Sequence, residues 1–116
     1  MSGETISVVE RDDKGSGSKI FTVRGIMDAV TSKQMDDHVL PVMEGGESDI
    51  ILDLTDLEYV SSAGMMSLIR YHVLMMKKQK NLKIVKPPNP VYHTLQITGI
   101  AKHLDIYDNV QAALGA

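Results

Sequence analysis

Two adjacent serines, Ser61 and Ser62, stand where an apolar, β-branched run gives way to a helical pattern. The backbone N–H groups of a first helical turn have no partner inside the helix, so a serine hydroxyl placed there can cap them. The same N–H groups, with the helix dipole, favour an anion at that spot. Acyl-transfer chemistry is not supported: two positions before Ser62 stands Val60, not the glycine of a nucleophile elbow. No acid, base and nucleophile converge in the pattern, so no enzyme is expected. His38, His72, His93 and His103 include no i, i+4 pair, which offers no helical metal site. Among the carboxylates, Asp53 is expected to end a strand beside the Ser61–Ser62 turn, with Thr55 next to it. Ligands of parallel α/β sheets gather outside such strand ends. An Asx-type turn bond is the simpler use of Asp53 or Asp56.

These residues need a scaffold, and the chain has the material for one. At 116 residues with 43% hydrophobic content, residues 1–116 are read as one domain with one core. There is no cysteine, which excludes disulfides and thiolate sites and fits a cytoplasmic protein. The start, MSGETISVVERDDKG, has no basic n-region or apolar h-region, so no signal peptide is read. No apolar run reaches the length of a membrane span. The net charge of −3 does not recommend nucleic acid or a membrane as partner. Lys77, Lys78 and Lys80 are read as a solvated helix end.

In chain order, Thr5–Glu10 and Lys19–Val23 read as strands around the polar turn RDDKGSGSK, a β-hairpin. Gly25 closes the second strand. A helix is expected over roughly Ala29–Met43, with Ala29 or Val30, Met35, Val39 and Met43 inward and Asp28 as its cap. Pro41 should kink or end it near Leu40, and Gly45–Gly46 stop it. Ile50, Ile51 and Leu52 mark a buried central strand, Asp49–Leu54. After a loop, a helix runs from about Ser62 to Gln79. Its inner stripe is read as Met65, Leu68, Ile69, Val73 and Met76, with His72 a hydrogen-bonded histidine at the core edge. Met66 and Met75 then project outward, and pliable methionines suit a partner surface. Asn81–Val85 reads as a strand, and Val91–Thr98 as a helix with Val91, Leu95 and Ile97 inward. Leu104–Tyr107 reads as a strand and Asn109–Leu114 as a helix capped by Asp108. Strands alternating with helices after a hairpin imply an α/β fold with a mixed, mostly parallel sheet and about four helices.

The stretch DIILDLTDLEYVSSAGMMSLIR resembles the signature of STAS domains, in particular the small bacterial anti-sigma factor antagonists. Asp53, Leu54 and Thr55 match the end of that family's buried strand, and Tyr59 and Val60 its aromatic and aliphatic. Ser62 matches its phosphorylated serine, and Gly64 and Met65 the end of the pattern. Gly25, Met27 and Asp28 fit the family's earlier strand-to-helix turn. Two positions depart: the family's Asp is Ser61 here, and its second Ser or Thr is Ala63. The resemblance implies a STAS-type single domain and a non-enzymatic partner switch. Its partner would be an anti-sigma factor with serine kinase activity, with a phosphatase to reverse the modification; ATP would belong to the kinase, so no cofactor is expected. It implies Ser62 as phosphoacceptor, with Ser61 the alternative, and Met27, Asp28, Ser61, Ser62, Ala63 and Met66 at the partner surface. The alternatives are a STAS scaffold that is never phosphorylated, and a small-ligand sensor using a crevice near Asp53, Thr55 and Ser62.

Overall fold

The computed structural model describes residues 6–13 and 17–116. The elements follow in the order β1 (Ile6–Asp13), β2 (Ser18–Met27), α1 (Thr31–Gly45), β3 (Asp49–Val60), α2 (Ser62–Lys77) and β4 (Leu82–Val85). Then come α3 (Asn89–Ile97), a 3₁₀ helix (Ile100–His103), β5 (Asp105–Tyr107) and α4 (Val110–Leu114). The expected hairpin is present, although Thr5 and residues 14–16 of its turn lie outside the described residues. β1 pairs antiparallel with β2, and β2, β3, β4 and β5 pair parallel in sequence order. A sheet that grows in one direction through right-handed crossovers must put its crossover helices on one face.

The core shows that arrangement. Met35, Val39 and Met43 of α1, Met65, Leu68, Tyr71 and Met75 of α2, and Val91 and Leu95 of α3 bury against Ile50, Leu52 and Leu54 of β3 and their neighbours. On the opposite face, α4 covers Ile20, Ile51 and Val85 with Ala113. Lys83 is buried there, and its Nζ donates to the carbonyls of Ala113 at 2.9 Å and Ala116 at 3.1 Å. A cation suits the carbonyl end of a helix.

Several boundaries differ from the sequence reading, each for a local reason. β3 does not stop at Leu54; it runs to Val60. Its pairing with β2 slips by a residue between Thr22 and Arg24 and again between Gly25 and Ile26. Each slip gives β3 one extra residue, so Leu54, Leu57 and Val60, spaced by three, all face the core. A bulge of this kind hides a strand from a period of two. β2 likewise passes through Gly25, at φ 101°, to Met27.

α1 starts at Thr31 and buries Thr31 and Ser32, whereas Ala29 and Val30 are exposed. It continues past Pro41 to Gly45 and is closed by Gly46 at φ 65°, whose N–H reaches the Met43 carbonyl. In α2 the inward stripe is Met65, Leu68, Tyr71 and Met75. Val73 and Met76, expected inward, are exposed, and Met75, expected outward, is fully buried. Ile97 is also exposed. α4 is capped by Asn109, not Asp108: the Asn109 side chain accepts the Ala112 N–H at 2.8 Å.

Candidate functional site

The site lies where β2 and β3 leave the sheet side by side. Met27 and Val60 are paired at the strand ends, so Asp28 and Ser61 are the first residues beyond it on adjacent strands. The Ser61 N–H donates to the Met27 carbonyl at 2.9 Å, which ties the two exits together.

Ser61 then turns the chain into α2. It is extended, at φ −90° and ψ 176°, and its Oγ accepts the Gly64 N–H at 3.2 Å. Its carbonyl accepts the Met65 N–H at 2.9 Å. Ser61 is thus the N-cap. Ser62 is the first helical residue; it is exposed, and its hydroxyl has no partner among the described residues. The two serines have different jobs although they are neighbours. Gly64 is required by closeness: a Cβ there would lie 2.5 Å from the Met27 carbonyl oxygen and 2.9 Å from Val60 Cγ2. Without a side chain, α2 can start directly against the end of β2.

The neighbouring exit is closed on itself. Asp28 Oδ1 accepts the N–H groups of Val30 and Thr31, both at 2.9 Å. In return Thr31 Oγ1 accepts the Asp28 N–H at 2.9 Å and donates to the Ile26 carbonyl at 2.6 Å. This is a reciprocal cap, with Asp28 in the expected capping role. The Thr31 N–H bond, above all, holds the Asp28 carboxyl below its ordinary range.

One turn along α2, Ser67 Oγ donates to the Ala63 carbonyl, and Arg70 spans from Ser67 to Asp36 of α1, each at 3.2 Å. The buried Tyr71 hydroxyl also donates to Asp36. Burial, with that bond second, drives the phenol well above its usual range. Nothing in the residue spacing pointed to this clamp between α1 and α2.

Of the expected site residues, Asp28, Ser61, Ser62 and Ala63 gather at the two exits, and Met66 lies one turn on, 55% exposed. Two expectations are corrected. Met27 cannot offer its side chain to a partner, because it is fully buried in the core; only its carbonyl reaches the turn. Asp53 and Thr55 do not share a crevice with Ser62. Because β3 continues to Val60, Asp53 lies eight residues before Ser61, roughly 25 Å along a strand. Asp53 Oδ1 instead accepts the Thr55 N–H at 3.1 Å and the Thr55 hydroxyl, the Asx-type bond, while Asp56 pairs with Arg24 at 3.4 Å. His72 Nδ1 is buried without a hydrogen-bond partner among the described residues, against the bond expected of it. Among the described residues no three metal-ligating side chains cluster, and no helix is long and apolar enough to cross a membrane.

Residues 6–113 match the family model described as the STAS domain. The chain is 24% identical over 104 residues to BtrV of Bordetella bronchiseptica, a candidate anti-sigma factor antagonist, with 90% of each chain covered. An anti-sigma factor antagonist from Mycobacterium paratuberculosis is similar in structure at a TM-score of 0.86 and 21% identity, over 98% of this chain and 95% of that one. The phosphorylated form of the Bacillus cell fate determinant SpoIIAA is similar at a TM-score of 0.67 and 12% identity, over 92% of this chain and 96% of that one. At these identities the structural likenesses speak for the fold.

Proposed function

We propose, since the chain belongs to the STAS domain family, that it is an anti-sigma factor antagonist of the cytoplasm whose switch is phosphorylation of Ser62. Its partner is an anti-sigma factor with serine kinase activity. The unmodified protein binds that kinase and frees the sigma factor; the phosphorylated one lets go, and a phosphatase restores it. The protein performs no catalysis itself, and ATP belongs to the kinase.

The observation that carries this reading is the division of labour at the start of α2. Ser61 is occupied as the cap, and Ser62 presents a free, exposed hydroxyl on the first helical turn. The departure from the family pattern at Ser61 fits the same picture. Asp and Ser are about equally good N-caps, so Ser61 caps the helix as an Asp at that position could, without the charge.

A phosphate on Ser62 would add about −1.5 to −2 charges at neutral pH. The first-turn N–H groups and the dipole stabilise that charge, so the fold needs no rearrangement. A partner packed over the serine must instead desolvate a dianion, which costs several kcal/mol unless an arginine meets it. A loss of about 2.8 kcal/mol already weakens binding about a hundredfold.

The test recovers the kinase by pull-down with the purified chain, adds ATP and maps the modified residue. Ser62→Ala is expected to bind and take up no phosphate, and Ser62→Asp to bind about a hundredfold more weakly. Undiminished incorporation into Ser62→Ala would reject the assignment. No incorporation into the parent chain would make it a constitutive scaffold.

A further inference from the structure

Helix α2 carries a second apolar stripe that touches the core only at Ile69. Turned away from Met65, Leu68, Tyr71 and Met75 are Met66, Ile69, Val73 and Met76, spaced by three, four and three. Those are the a and d positions of a heptad seam. Met66, Val73 and Met76 are 55, 43 and 61% exposed. The stripe forms one wall of an open groove of about 640 Å³; the 3₁₀ helix, with Ile100, Lys102 and His103, forms the other. Single exposed apolar residues are ordinary, but a contiguous, periodic row beside a groove is an interaction surface.

Charge decides what fits the groove. From Ser62 to Lys80 the chain holds Arg70, Lys77, Lys78 and Lys80 and no acidic residue, in a protein of net charge −3. In heptad terms Arg70 and Lys77 flank the seam at e, and His72 at g. Arg70 is engaged by Asp36. Lys77 and Lys102 have no ion-pair partner among the described residues, and Asp105 is the acidic residue on the groove. A second copy is a poor occupant. Packed antiparallel along the seam, Lys77 would face its counterpart on the other copy; packed parallel, it would meet no acidic residue, because positions 72 and 79 are His72 and Gln79. Neither packing offers Lys77 an acidic partner.

We propose that this groove docks an amphipathic helix of another protein, one whose own apolar seam is flanked by glutamate or aspartate. Val73, at its centre, lies eleven residues beyond Ser62, about 16 Å along the helix. That exceeds the Debye length of about 8 Å at physiological salt. Docking centred on Val73 and Met76 is therefore beyond the reach of a charge on Ser62, and only Met66, at the near end of the groove, is shared with the surface around that serine.

The test uses two synthetic helical peptides with the same leucine–isoleucine seam, one with Glu and one with Lys at every e and g position. Each is titrated against the full chain by fluorescence anisotropy in 0.15 M salt. The Glu peptide is expected to bind at least tenfold more tightly than the Lys peptide. Val73→Asp with Met76→Asp should weaken it at least tenfold while the melting temperature barely moves, because both side chains are exposed. Lys77→Glu with Lys102→Glu should remove the preference for the Glu peptide, and Ser62→Asp should leave its affinity within twofold. Equal affinity for the two peptides, no binding of either, or Glu-peptide binding that survives the Val73–Met76 double change overturns the proposal. So does a concentration-dependent dimer in sedimentation velocity that the same double change abolishes, since the occupant would then be a second copy. None of these readings depends on a kinase, so a failed Ser62 switch and a failed groove give different results.

Discussion

The exits of β2 and β3 occupy equivalent places in the fold: parallel neighbours, each turning into a helix on the same face of the sheet. They are capped differently. At Asp28 the side chain accepts the Thr31 N–H and the Thr31 hydroxyl accepts the Asp28 N–H, which leaves the turn little to exchange. At Ser61 the cap uses one serine and exposes the next. The first arrangement uses up its polar groups and the second leaves a hydroxyl exposed at Ser62. For the switch proposed at Ser62, separating the cap from the exposed hydroxyl means that one can change without loss of the other.

The largest expected effect comes from breaking the closeness on which the second exit depends. Gly64→Ala would drive a Cβ into the backbone carbonyl of Met27. Overpacking against backbone that cannot move aside should cost about 2–3 kcal/mol, read by urea or thermal unfolding. A parent-like melting curve would show that the two exits are not pressed together.

Separating the two serines gives the next effect. Ser61→Ala should cost about 1 kcal/mol of stability, whereas Ser62→Ala should stay within about 0.5 kcal/mol, as exposed sites do. Equal losses would remove the distinction between cap and free hydroxyl.

At the first exit the effect is smaller and depends on pH. Asp28 has a carboxyl lowered by its bonds to the turn. Its contribution to stability is therefore present above the ordinary carboxylate range and disappears as pH falls through the lowered value. Asp28→Asn keeps a good cap but no titratable group. It should flatten the acid side of a plot of melting temperature against pH, and an unaltered slope would show that the turn does not hold the charge.

Met66→Lys should leave stability almost unchanged, because the side chain is half exposed, while weakening binding of the proposed anti-sigma partner about tenfold. A large drop in melting temperature would instead mean that Met66 supports the core.

Much of this was legible in the chain. Ile50, Ile51 and Leu52 announce a strand buried on both faces, the Ser61–Ser62 pair a helix start, and Gly46 a helix end, because each rests on short-range rules of burial, capping and backbone freedom. The order of elements follows from the same signals. The inward stripe of α2 differs from the one its spacing suggests, for a reason that is itself informative. The helix has two apolar rows, and periodicity cannot say which faces the sheet; the Tyr71 bond to Asp36, across 35 residues, helps fix the rotation. β3 was cut short because two bulges break the alternation that identifies a strand.

The sequence by itself therefore determined the element order, the parallel α/β class and the serine turn, all of which are written in neighbouring residues. Only the tertiary structure decided which serine is spent as the cap, that Asp53 stands far from it, that Met27 is core, and that Met66, Val73 and Met76 of α2 are left exposed. Those depend on register and on the rotation of a helix about its axis, and both are set by contacts between residues distant in the chain.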